Sequence, residues 1–196
     1  MNIILACDEN YGIGNDLKLP WRLPPDLERF KNLTVGDGNN VVIMGKNTYK
    51  SFKKPLPKRL NIVVSQSMFS DEPTLDVIHH NGFIIVKSIK DAVEYAQLYI
   101  EMNESGKIWI IGGSELYESV IDLSIRNTLE GNTDCPPLKN IYVIKLDKGF
   151  NCNIFLKEKT INLIQKCNWT SSQRGNHHNI GYTFNEFDAD ICEAYI

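Results

Sequence analysis

Residues able to do chemistry gather in four short segments. The first reads Trp21-Arg22-Leu23-Pro24-Pro25-Asp26-Leu27-Glu28-Arg29-Phe30-Lys31. Its two prolines suit a helix start, where a missing N–H costs nothing. At about 100° per residue, Asp26, Phe30 and Leu33 share one face with Leu27 on its flank, whereas Glu28, Lys31 and Asn32 point elsewhere. A carboxylate therefore sits on the apolar stripe of its own helix. One reading is ordinary dipole chemistry, because acids favour the first helical turn. The sharper reading is a lone buried acid, its pKa raised by desolvation, able to pair with a ligand cation or assist proton transfer.

Two further segments run a strand into glycine and then a helix: Ile110-Ile111-Gly112-Gly113-Ser114-Glu115-Leu116-Tyr117 and Val42-Ile43-Met44-Gly45-Lys46-Asn47-Thr48-Tyr49. Glycine lets backbone approach a ligand, and the following helix start offers free N–H groups to phosphate. Lys46 and the Thr48 hydroxyl add to an anion site. Each segment also describes a tight turn before a packed helix. Two in one small sheet suit a cofactor carrying a pyrophosphate. Neither is a Walker A loop, and Gly12-Ile13-Gly14 lacks the third glycine of the dinucleotide fingerprint. In the fourth segment, Arg59 stands where a basic loop, Lys53–Lys58, enters a strand. It could clamp a carboxylate in bidentate fashion or be a plain surface residue. His79-His80 and His177-His178 are adjacent pairs whose side chains point apart, so no metal site is expected. No nucleophile–histidine arrangement or glycosidase carboxylate pair can be read.

Short β-branched runs must position these groups: Asn2–Ala6, Asn40–Met44, Leu60–Ser65, Phe83–Val86, Lys107–Ile111 and Asn140–Leu146. Most are apolar throughout, as in strands covered on both faces. Helical patterns lie between them at Pro25–Leu33, Ser88–Asn103 (with Ser88 and Asp91 spaced as a capping box) and Ser114–Ile121. The alternation predicts an α/β domain with a mostly parallel sheet flanked by helices. Trp169–Gln173 and Tyr182–Phe187 alternate around the polar stretch Arg174–Gly181 and predict a C-terminal antiparallel hairpin. Asp8–Leu23 is a long glycine-containing loop, and residues 122–139 read as a surface insertion. No linker divides residues 1–196, so one domain is expected.

The 196 residues carry 21 Lys plus Arg against 24 Asp plus Glu, a net charge of −3, with no basic footprint for nucleic acid or an anionic membrane. Five cysteines, odd in number and widely spaced, argue against a disulfide or zinc scaffold. The N-terminal apolar run meets acids at once, unlike a signal peptide, and no stretch approaches the ~18 apolar residues of a bilayer span. A cytoplasmic protein is expected.

In their common order, these segments resemble the dihydrofolate reductase family. The resemblance rests on Ala6, the Gly12–Trp21 loop, Leu23-Pro24-Pro25-Asp26-Leu27, the Gly45 and Gly112-Gly113 turns, and Pro55-Leu56-Pro57-Lys58-Arg59, with a weaker match at Ile141–Leu146 and Phe150–Phe155. It implies a single-domain fold of that kind and reduction of 7,8-dihydrofolate to tetrahydrofolate with NADPH. Hydride would pass to C6 while N5 gains a proton. Asp26 would pair with the pterin's 2-amino group and N3, with Leu19 and Trp21 beside the reacting rings. Ile4, Ala6, Leu27, Phe30, Phe52, Leu56, Ile111 and Tyr117 would line the substrate slot, and Arg59 would clamp the glutamyl α-carboxylate. On the cofactor side the resemblance places Ala6, Ile13, Gly14, Leu19, Gly45, Lys46, Asn47, Thr48, Ser65, Gln66, Lys87, Ile111, Gly112, Gly113, Ser114, Glu115, Leu116 and Tyr117. Gly112-Gly113 matches a cis peptide, and Glu9–Leu23 a mobile lid. Dihydrofolate and antifolates are the expected partners of a monomer, without metal, nucleic acid, membrane or a following thymidylate synthase domain.

The chain also departs from the family pattern. Ile144 stands where members carry a threonine that supports the acid, Asn153-Ile154 where they read Asp-Thr, and Glu115 near where some place a base for the 2′-phosphate. Other readings are a non-catalytic folate- or nucleotide-binding module of this fold, and a reductase of another pterin or a riboflavin precursor. Arg59 with Leu56 favours a glutamylated folate over the latter.

Overall fold

The structure is a computed structural model that describes residues 1–196 except 72, 132–134 and 189–196. At its centre lie the parallel strands β1 (Asn2–Cys7), β3 (Val41–Gly45), β4 (Leu60–Val64) and β7 (Ile108–Ile110). Their registers align branched residues across the sheet: Ile43 pairs with both Ile62 and Ile110, and Ile3 with Ile110 and Ile141. Alternate residues feed two cores. Ile3, Leu5, Ile43 and Ile110 pack with α3 (Ile89–Met102), α4 (Ser114–Glu130) and α5 (Glu158–Lys166) on one face. Ile4, Val42, Met44 and Trp109 pack with Phe30 and Leu33 of α1 (Pro24–Val35) on the other. Coverage of both faces is why these strands read as continuous apolar runs.

Among the described residues the main sheet has nine strands in the order β10-β11-β8-β1-β7-β3-β4-β6-β5. Strands β6 (Phe83–Val86) and β8 (Asn140–Leu146) match the predicted boundaries. The capping box of α3 forms as expected: Asp91 N donates to Ser88 Oγ at 3.2 Å, and Ser88 N to Asp91 Oδ2 at 2.9 Å.

Three features differ from expectation. Helix α4 runs to Glu130 and stops at Gly131, whose φ of 65° takes the left-handed conformation that ends helices. Residues 122–130 therefore continue that helix, with Ser124 buried and Leu129 exposed; Leu138 is also buried. Residues 132–134 of that segment lie outside the described residues. The C-terminal pair, β10 (Ser171–His177) and β11 (Ile180–Asp188), turns on His178 and Asn179 alone, both at positive φ, so the polar stretch expected as its turn is mostly strand. Pairing of β11 with β8 holds it, and at Gly175 a Cβ would lie 2.4 Å from the Tyr182 ring, so a larger residue there would have to displace that side chain.

Third, several elements were not anticipated: α5, the edge strand β5 (Val77–His80), and a small second sheet of β2 (Gly12–Gly14) with β9 (Ile154–Phe155). Strand β5 carries His79 and His80. Among the described residues no group of His, Cys, Asp and Glu could hold a metal, and no helix is long and apolar enough to cross a membrane. Cys7, Cys135, Cys152 and Cys167 are unpaired; Cys192 lies outside the described residues.

Candidate active site

The parallel strands β1, β3, β4 and β7 end at one crevice, the position where open α/β sheets bind ligands. The crevice holds about 1590 Å³. Single small-molecule sites occupy roughly 300–1,000 Å³, so there is room for two ligands side by side. All but four of the site residues expected from sequence line this one cleft.

Asp26 projects into it from the first turn of α1 and is 7% exposed. Its carboxyl makes no hydrogen bond or ion pair among the described residues, and burial alone lifts its pKa to about 6. Ile4, Ala6, Phe30, Phe52 and Ile111 line the same cleft. Leu27 and Leu19 also line the cleft, yet stay 53% and 46% exposed, so apolar surface is left facing the opening.

Two glycine turns meet deeper in. Gly45 N donates to Gly112 O at 2.7 Å, and the Gly112–Gly113 peptide is cis. Gly112 has φ 105°, and a Cβ there would lie 2.9 Å from the Tyr117 hydroxyl, so both conformation and space demand glycine. That hydroxyl donates to Ile4 O at 3.0 Å, tying α4 to β1, and its burial pushes the phenol pKa well up. Helix α2 (Lys46–Ser51) begins at Gly45 and α4 at Gly113, neither with a side-chain cap. Their leading N–H groups lack side-chain partners, and the buried Ser114 Oγ has none either. Lys46 Nζ donates to Ser67 Oγ at 2.6 Å, beside Ser65.

The loop over the cleft is braced from the opposite side. Asn153 Nδ2 donates to Asp16 Oδ1 (2.8 Å), Asp16 N to Asn153 Oδ1 (3.2 Å), and Asn153 N to Gly14 O (3.0 Å). The amide at 153 thus provides the brace where the family pattern has a carboxylate. At the root of the loop, Asp8 is 1% exposed and accepts from the backbone N–H groups of Asn10, Gly12 and Phe150 at 2.7–2.9 Å. Trp21 is buried against Phe150, with its Nε1 unpartnered, and shares an apolar cluster with Ala6 and Ile144.

Leu56, Arg59, Gln66 and Lys87 do not line the cleft wall. Leu56 packs into the α1-side core. Arg59 donates through Nη1 to Thr34 Oγ1 (2.7 Å) and through Nε to Pro57 O (3.0 Å); partial burial lowers its pKa. Lys87 is drawn to Asp76 and Pro73 O, and Gln66 is exposed at the start of a 3₁₀ turn. Gln66 and Lys87 each neighbour a lining residue in the chain, Leu56 is engaged by packing and Lys87 by local partners, and the two bonds of Arg59 take two of its five N–H donors.

Sequence reading missed Ser67, Lys90, Arg126 and Lys157, all of which line the cleft. Ser67 lies one residue beyond an expected position. Lys157 caps α5, a helix that was not anticipated. With these residues the lining carries six cations (Lys18, Arg22, Lys46, Lys90, Arg126, Lys157) against three carboxylates (Asp16, Asp26, Glu115). A chain of net charge −3 thus concentrates positive charge where an anionic ligand would enter.

A family model described as dihydrofolate reductase matches residues 1–189. The dihydrofolate reductase of Drosophila melanogaster is 33% identical over 162 residues, covering 79% of this chain and 77% of that one. That of Haemophilus influenzae is 35% identical over 144 residues, 70% and 79% of the two chains. Among solved structures, a dihydrofolate reductase from Enterococcus faecalis complexed with NADP(H) and RAB-propyl superposes with TM-score 0.72 over 96% of both chains at 23% identity, a likeness of fold.

Proposed function

Because the chain belongs to the dihydrofolate reductase family, we propose that it reduces 7,8-dihydrofolate to 5,6,7,8-tetrahydrofolate with NADPH. The observation that carries this reading is Asp26: a buried carboxyl without a partner among the described residues, raised to a pKa of about 6, in a cleft with room for two ring systems. A partnerless buried acid is costly unless a ligand satisfies it. The 2-amino group and N3 of a pterin offer two donors to a carboxylate.

When bound, NADPH supplies the hydride taken up at the pterin's C6. The chain's own residues do the rest. Asp26 orients the pterin and, in its protonated form near pH 6, favours arrival of a proton at N5. Ile4, Ala6, Phe30, Phe52 and Ile111 keep the slot dry, with Leu27 at its edge, and Leu19 and Trp21 close the loop side. Gly45, Lys46, Asn47, Thr48, Ser65, Gly113 and Ser114 hold the cofactor. The fit is supported by two helix starts without side-chain caps and by the orphaned Ser114 hydroxyl. Arg59 takes the glutamyl α-carboxylate with donors left over from Thr34. Folate-like inhibitors would enter the same slot.

The test is dihydrofolate-dependent loss of NADPH absorbance. Turnover in the wild type with collapse in Asp26→Asn supports the assignment. Tight antifolate binding without any turnover would replace it with a non-catalytic binding module.

A further inference from the structure

The cleft's α4 end contains an ion pair between Glu115, which the resemblance places on the cofactor side, and Lys157, to which it assigns no role. Lys157 Nζ lies 2.6 Å from Glu115 Oε2. Glu115 occupies the first turn of α4, next to Ser114 and the uncapped start at Gly113, while Lys157 comes from the N-cap of α5, 42 residues later in the chain. Both line the cleft. Their side chains are 47% and 81% exposed, and a pair so open to water adds little to stability. Its consequence is local charge. Without Lys157, the α4 end would present a bare carboxylate at the helix start best suited to an anion.

Building on the cofactor reading above, we propose that Lys157 is a further cofactor-binding residue, a cation that Glu115 positions for the dinucleotide's diphosphate. The placement favours the diphosphate over the 2′-phosphate. Gly45 N bonds to Gly112 O, so the two glycine turns converge on the α4 end, whereas Lys46 is drawn away to Ser67. The diphosphate is common to NADPH and NADH. Lys157 therefore serves both dinucleotides, and discrimination between them falls to Lys46.

Dissociation constants for NADPH and NADH, measured by quenching of intrinsic tryptophan fluorescence without substrate, test this directly. Lys157→Met weakens both dinucleotides by a similar factor of about five to tenfold and flattens the salt dependence of binding, and Lys157→Arg restores most of the loss. Lys46→Met weakens NADPH much more than NADH. Unchanged constants in Lys157→Met would overturn the assignment, as would a loss confined to NADPH. A wild type that bound neither dinucleotide would overturn the functional reading itself; normal wild-type binding with an indifferent Lys157→Met would reject this inference alone.

Discussion

The root of the loop over the cleft and the start of α1 each bury one aspartate, and the surroundings differ completely. Asp8, 1% exposed, receives three backbone N–H donors from two segments that lie far apart in the chain. Asp26, 7% exposed, receives none. Burial is nearly the same, so burial alone does not mark a catalytic acid. A carboxylate whose oxygens are filled by backbone donors is a structural joint. One whose oxygens open into a cleft is held ready for a ligand.

Substitutions can break this contrast. The largest effect is expected from Asp26→Asn, which should lower turnover by about 10²–10⁴-fold, the range of a lost acid–base group, while the melting temperature holds or rises. Steady-state rates beside thermal melts check both halves; comparable losses in each would place Asp26 with Asp8 as a structural residue. Asp8→Ala should do the reverse. Three backbone N–H groups, that of Gly12 buried and those of Asn10 and Phe150 partly so, lose their acceptor, costing about 2–3 kcal/mol of stability in denaturant titration. Asp8→Asn should cost about half as much, since one oxygen still serves Asn10 and Gly12 while the Phe150 N–H meets an amide.

Proton linkage sharpens the same comparison. The Asp26 pKa rises from 3.8 to about 6 on folding, so the folded protein binds this proton more tightly than the unfolded chain. Its contribution is complete below about pH 4 and is lost as pH climbs through 6, a decline of about 3 kcal/mol. Asp26→Asn should remove that slope, and equal pH dependence in the two proteins would contradict the raised pKa. The smallest effect belongs to Ile144, buried in the cluster with Ala6 and Trp21. Ile144→Thr should shift the pH–rate profile downward by less than about one unit as a hydroxyl becomes available to the acid, at about 1–2 kcal/mol of stability. An unmoved profile would mean that the hydroxyl does not reach the carboxyl.

Much of the molecule could be read from local order. Apolar runs marked the central strands because both faces of each are covered, and Ser88 with Asp91 marked a helix start because a capping box is local. Asp26 stood out because a charge on an apolar stripe is discordant wherever the helix packs. The hairpin turn was placed too widely because β10 is polar, held by β11 rather than by any pattern of its own.

What the residues determined by themselves was the central strands, the two glycine turns and the odd position of one acid, since each depends on neighbours within a few residues. Tertiary structure alone decided that Phe150 would complete the donor set around Asp8, that Asn153 would brace Asp16, and that Lys157 would meet Glu115. Those partners come from 42 to 142 residues away, and only the folded sheet brings them within hydrogen-bonding reach.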